Sequence, residues 1–176
     1  MSDSQATVSK EALLSDGDDL AFRQLVHDLL AFSARLQEIR NRFGAYIGLT
    51  GIQYTLLIAI SHLGKEGEVG VKKLADHLSL SGAFVTIETT KLVKLGLVEK
   101  RTNRKDRRRV LLSLGARGRA LLNQLAPLQR EVNDALFDSL DQRGFSILSS
   151  MAAQLKQDAE NAILLADYLT ENAGDE

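Results

Sequence analysis

Two residue patterns meet at Gly96, and few folds hold both side by side. Residues 78–96, LSLSGAFVTIETTKLVKLG, have helical character and include Thr89 and Thr90. Residues 96–109, GLVEKRTNRKDRRR, set Lys100, Arg101, Arg104, Lys105, Arg107, Arg108 and Arg109 against the acids Glu99 and Asp106, with β-type residues on either side. A helix followed at once by a basic β-hairpin suits a nucleic-acid duplex. The helix can fill a major groove while the hairpin tip reaches phosphates or the minor groove. This junction predicts sequence-specific DNA binding.

The charge balance supports that expectation only when read locally. The chain has a net charge of −1 over 176 residues. Residues 100–119 nevertheless hold nine bases and one acid, a net of +8, and residues 131–176 hold ten acids and two bases, a net of −8. Attraction to phosphate follows the local field rather than the total. The blander reading of the basic run is a solvated face or a localisation signal.

Periodicity predicts a mainly α protein with one small hairpin. The only proline is Pro127, and long Leu/Ala/Gln/Glu-rich runs favour helices. Residues 1–17 read as a flexible N-terminal arm. Asp18 and Asp19 mark a helix start, followed by Leu20, Phe22, Val26, Leu29, Leu30, Phe32, Leu36, Ile39 and Phe43 at three- and four-residue steps. Thr50, with Gln53 three residues on, predicts a capping box for a second helix ending at Gly64. The stretch GKEGEVG then reads as a loop. Residues 71–78 form a short helix, Ser79-Leu80-Ser81-Gly82 a turn, and residues 82–95 another helix that stops at Gly96. Strands are expected over 97–101 and 109–114. A long helix starts at Gly115, with a kink expected at Pro127. A last helix spans about 141–171.

Helix, turn, helix and basic hairpin together form a winged helix-turn-helix, over residues 49–115. Its second helix enters the groove. The remaining helices, 18–48 and 116–172, carry apolar stripes that need cover. A two-fold homodimer provides it, since one patch serves both chains; an intrachain bundle is the alternative.

The element order and several motif residues resemble the multiple-antibiotic-resistance regulator (MarR) family, over roughly residues 18–172. The sharpest signature is Gly96-Leu97-Val98-Glu99 followed by Asp106-Arg107-Arg108. Leu49-Thr50 before the second helix, and Leu114 with Gly118 after the wing, agree with it. The resemblance implies a homodimeric transcription regulator, usually a repressor, dimerised through its terminal helices. It also implies that Arg108 enters the minor groove and that Asp106 orients it. Narrow minor grooves do attract arginine, and a nearby carboxylate can hold a guanidinium rigid. The chain departs from the family pattern at Ile87, where an arginine is common, at Glu88 and Thr89, where apolar residues are common, and at Gly51 and Gly115, where proline and threonine are common.

On the recognition helix, Phe84, Ile87, Lys91 and Lys94 share one face, while Val85, Leu92 and Thr89 share the core face. Ser81, Thr86 and Thr90 can donate to phosphates or base edges. Phe84 and Ile87 either touch thymine methyls or plug the domain's own core. Arg104, Lys105, Arg107 and Arg109 are expected on phosphates. In families of this kind, small anionic aromatic effectors or their coenzyme A thioesters bind between the dimer helices and the reading head. Arg40 or Arg42 would neutralise the anion there, beside Tyr46 or Tyr54; the alternative is that both arginines are solvated charges near a helix end. A ligand-independent architectural DNA-binding protein is the rival function.

Other classes lack their signatures. The sequence has no Gly-x-Ser-x-Gly elbow, no His-Glu-x-x-His and no glycine fingerprint after a strand, so an enzyme is not expected. His27, His62 and His77 fall on three different helices, which predicts no metal site and no cofactor. There is no cysteine, hence no thiol switch. No apolar run of membrane-spanning length occurs and the N-terminus lacks the order of a secretory signal, so a cytoplasmic protein without a membrane partner is expected.

Overall fold

The structure, a computed structural model, describes residues 6–103, 106 and 109–173. In chain order it contains α1 (Leu20–Tyr46), α2 (Gly51–Glu66), β1 (Val69–Gly70), α3 (Val71–Leu78), α4 (Gly82–Lys94), β2 (Val98–Thr102), β3 (Val110–Leu114), α5 (Ala116–Leu136) and α6 (Gln142–Asn172). The predicted class holds: mainly helical, with a small antiparallel sheet in the order β1–β3–β2. Two compact units divide the chain, Met1–Gln129 and Arg130–Glu176.

Helix α2 is the centre of the first unit. Its capping box forms as predicted: Gln53 N donates to Thr50 Oγ1 at 3.3 Å, and Thr50 N donates to Gln53 Oε1 at 3.2 Å. Two donors that a helix start leaves unpaired are thereby satisfied. Tyr54, Leu56, Leu57, Ile60 and Leu63 are buried along it. They pack with Leu74 of α3, Val85 and Leu92 of α4, and Leu111 and Leu112 of β3, all buried as well.

Between residues 64 and 70 the chain departs from the expected helix stop at Gly64 and the expected loop after it. Helix α2 runs through Gly64 to Glu66, and Gly67 ends it at φ 144°, a backbone conformation other residues rarely adopt. Val69 and Gly70, read as loop, form β1 and pair with Leu112 and Leu111. A two-residue strand has no periodicity of its own to detect.

The helix-turn-helix and hairpin follow the predicted bounds closely. Ser79, in the turn, takes a left-handed conformation, and Gly96 ends α4 at φ 69°. Strands β2 and β3 register Val98 with Leu114 through Thr102 with Val110. Gly118 explains its own place after the wing. A Cβ there would lie 2.2 Å from the Leu97 carbonyl oxygen, so only glycine lets α5 approach the start of β2 this closely. The helical pattern of α5 continues through Pro127.

Residues 6–17 of the expected arm, together with Asp18 and Asp19 just before α1, carry local structure. A 3-10 turn spans Glu11–Leu13, and Ser15 and Asp18 form a bridge. The Thr7 amide and hydroxyl both donate to Asp19 Oδ2, at 2.6 and 2.7 Å. Arg23 Nε reaches Asp19 Oδ1 at 2.9 Å. These bonds hold the Asp19 carboxyl well below its usual range, at about 2, with the Thr7 amide the largest cause. In the second unit, Asp141 accepts from Gly144 N at 2.7 Å and starts α6.

Candidate nucleic-acid interface

Helix α4 presents two faces of different chemistry. Ser81 caps its start, accepting from Phe84 N at 3.2 Å. Val85, Thr89 and Leu92 turn inward and are buried, as the periodicity predicts. Phe84 and Ile87 are 39% and 56% exposed, so neither plugs the core and both are available to a groove. Thr86 and Thr90 commit their hydroxyl protons to the helix itself, donating to Gly82 O at 2.8 Å and Thr86 O at 2.7 Å. What they offer outward is an acceptor oxygen and a methyl group, rather than the expected donor. Lys94 is exposed near the end of the helix. Lys91 is exposed too, but its Nζ lies 2.6 Å from Glu88 Oε1.

The wing begins on a buried side chain that the sequence reading passed over. Asn103 is 6% exposed. Its Nδ2 donates to Glu68 Oε2 at 3.1 Å, and its Oδ1 accepts from Asp106 N at 3.3 Å. Its backbone N–H donates to Arg109 O at 2.9 Å, and Arg109 N donates to Asp106 O at 2.9 Å. Asn is a residue type that favours turns because its side chain bonds nearby backbone, and the bond from the Asp106 amide is of that local kind. The link to Glu68, 35 residues back, has no sequence signal. Arg104, Lys105, Arg107 and Arg108 lie outside the described residues. At the junction with α5, Arg117 donates to the Leu95 carbonyl at 3.1 Å, where a cation complements the C-terminal end of α4. Arg119 donates to the Leu114 carbonyl.

A helix-turn-helix with an exposed second helix, followed by a sheet-anchored basic loop, is now in place. Residues 47–109 match the model of the MarR family. Over that segment, which holds the helix-turn-helix and the wing, the chain is similar to the MarR family. The chain is similar along most of its length to YhbI of Bacillus subtilis, an uncharacterized HTH-type transcriptional regulator: 29% identical over 154 residues, covering 88% of this chain and 94% of YhbI. It is 24% identical over 138 residues to the B. subtilis HTH-type transcriptional repressor MdtR, covering 78% of this chain and 89% of MdtR. Among solved structures, a mutant MarR from E. coli complexed with operator DNA superposes with a TM-score of 0.62 at 20% identity, over 77% of this chain and 94% of that one. That likeness establishes the winged-helix fold. Both relatives bear the name of HTH-type transcription regulators.

Against the MarR family pattern, the departures at Glu88 and Thr89 have a local account. Both are buried. Thr89 satisfies its hydroxyl on Val85 O at 2.7 Å, and Glu88 is satisfied by Lys91. Polar residues are thus tolerated at inward positions because each has a partner.

The four candidate effector residues separate. Arg40 Nε donates to Thr55 Oγ1 at 2.9 Å, and its guanidinium lies 5.2 Å from the centre of the Tyr54 ring. Phe43 meets the same ring edge-on at 5.7 Å. Tyr54 is buried, and burial pushes its phenol pKa up while Arg40 opposes this. Arg42 instead pairs with Glu38 at 2.6 Å. Arg42 first, then Arg35, lowers the Glu38 carboxyl. Tyr46 is exposed. An open groove of about 760 Å³ lies elsewhere, lined by Ile60, Lys65, Arg101, Leu112, Arg119 and Leu122 among others.

His62 and His77, apart in sequence, have ring centres 5.8 Å apart. No group of three metal-ligating side chains occurs among the described residues. No single helix among them is long and apolar enough to cross a membrane.

Proposed function

We propose that this protein is a MarR-type regulator: a homodimeric, sequence-specific DNA-binding protein that represses transcription from a pseudo-palindromic operator. One observation carries the reading. The exposed Phe84–Ile87–Lys94 face of α4 is followed within a few residues by the hairpin segment 100–119, which carries a net charge of +8. Phosphate attraction positions such a head, and the helix reads base edges. Phe84 and Ile87 suit thymine methyls. Arg109 and the wing residues Arg104, Lys105 and Arg107 suit phosphates. Arg108, oriented by Asp106, suits a narrow minor groove.

The dimer is supported by apolar surface. Leu20, Leu25, Leu29, Leu30 and Phe32 of α1, and Phe145, Leu148, Met151 and Leu155 of α6, are exposed in the single chain. Soluble monomers rarely leave so many large apolar side chains in water, and a two-fold pairing buries one such patch against itself. Two recognition helices would then enter successive major grooves about 34–36 Å apart.

An effector would act by binding better to a dimer whose heads do not match the operator, shifting the population away from the DNA-competent form. Its class is a small aromatic anion or the coenzyme A thioester of one. Arg40 beside Tyr54 and Phe43 offers a cation next to aromatic rings, with Arg42 and Tyr46 on the same helix. A thermal shift with aromatic acids and their thioesters tests this, and a ligand that leaves operator affinity unchanged removes it.

The deciding experiment is a salt titration on the DNA upstream of the protein's own gene against a random duplex of equal length. Tighter binding upstream, falling steeply with salt, is the expected result. Equal weak binding to both duplexes favours the architectural role.

A further inference from the structure

A recognition helix gains affinity for every duplex by presenting cations, and loses selectivity the same way, because phosphates carry no sequence. Helix α4 has two lysines, Lys91 and Lys94, and one acid, Glu88. Glu88 is anchored among the buried residues of the helix, beside Val85, Thr89 and Leu92. The Lys91 side chain keeps 53% exposure against 9% for Glu88, and the two close to 2.6 Å. The carboxylate is therefore the fixed member of the pair, and the cation is the one that would have to leave. Lys94 has no ion pair among the described residues.

We propose that Glu88 is a specificity-determining residue. It holds the Lys91 cation on the surface of α4 and withholds it from phosphate, so that random DNA is bound more weakly than the lysine count implies. The inference rests on the DNA-binding reading above. A lysine drawn to phosphate must release Glu88 and leave a nearly buried carboxylate without its partner. That penalty falls on complexes held by phosphate contacts alone, since on the operator the base contacts of the rest of the α4 face hold the helix without Lys91. It lowers non-specific affinity, while contacts made by the rest of the α4 face still distinguish the operator.

Four proteins decide it: wild type, Glu88→Gln, Lys91→Ala and the double variant, each titrated with salt on operator and random duplexes. Glu88→Gln should steepen the dependence of log affinity on log salt by about 0.9 on random DNA, the contribution of one phosphate contact. At 0.1 M salt this corresponds to about eight-fold tighter random binding, with a smaller operator-to-random ratio. Lys91→Ala should leave the wild-type slope nearly unchanged, and the double variant should return to it. Glu88→Gln binding random DNA no more tightly than wild type overturns the proposal. A steep slope that survives in the double variant also overturns it, because the freed cation would not be Lys91. A purely structural role for Glu88 would weaken both duplexes and could not tighten either. Failure of the wild type to prefer the operator would overturn the regulator reading alone, since the slopes on random DNA still decide the role of Glu88.

Discussion

Helices α2 and α6 are both rich in leucine and isoleucine, yet their side chains end in opposite surroundings. Helix α2, with 16 residues, buries Gly51, Tyr54, Leu56, Leu57, Ala59, Ile60 and Leu63. Helix α6, with 31 residues, buries none. Phe145, Leu148, Met151, Leu155, Ile163, Leu165 and Leu169 all stay exposed. An apolar stripe tells that a helix has a face, and not what covers it. The cover for α2 is supplied by α1, α3, α4 and the sheet. The cover for α6 is what the proposed dimer supplies.

The most severe way to break this contrast is to remove α6. Deleting residues 145–176 should leave monomers or insoluble chain, because the exposed apolar stripe of α6 proposed to pair the two copies would be gone. Light scattering gives the answer, and a stable soluble dimer after the cut would contradict the interface. The complementary change lies in α2. Leu57 is fully buried, and Leu57→Ala should cost about 2–5 kcal/mol of unfolding free energy. Leu164, at 68% exposure on α6, should tolerate alanine with about 0.5 kcal/mol or less of effect on the isolated chain. Equal losses at the two sites in denaturant melts would remove the distinction between the helices.

A smaller effect sharpens the contrast from the side of function. Arg108→Ala should weaken operator binding by about 1–3 kcal/mol and leave both the dimer and its melting temperature intact. Fluorescence anisotropy on the operator reads the loss. Unchanged affinity would mean that the wing does not reach the duplex.

Local chemistry made much of this molecule legible before its structure. Thr50 with Gln53, and Gly96 with its positive φ, each act within a few residues, and the structure realises both. The basic run was legible as a charge pattern, although the roles of Arg104, Lys105, Arg107 and Arg108 remain expectations. What stayed hidden depends on partners far along the chain. Strand β1 exists because Leu112 pairs with Val69, and Asn103 is buried because Glu68 meets it. Gly64 and Gly67 look alike as helix stops, and only the backbone conformation separates them. Glu88 and Lys91 had a helical pairing distance in the sequence, but nothing there showed that one of them is buried. The same reasoning explains the effector candidates: Arg40 and Arg42 are near neighbours in sequence, yet one turns to Tyr54 and the other to Glu38.

The smallest expected effect tests whether the chain before α1 is a separate cooperative unit. The Asp19 carboxyl sits at about 2 against an ordinary value of 3.8, held there by the Thr7 amide, the Thr7 hydroxyl and Arg23. A depressed carboxyl contributes stability that is fully present above its unfolded value and is lost as pH falls through its folded one. The segment 6–19 should therefore loosen as pH drops from about 4 to about 2. Amide exchange at Thr7 should accelerate in that window ahead of exchange at Leu57 in the α2 core. Asp19→Asn should show fast Thr7 exchange at neutral pH and no further step on acidification. Thr7 and Leu57 losing protection together, in both proteins, would mean that the segment and the core open as one unit, and that the Asp19 bonds report global rather than local stability.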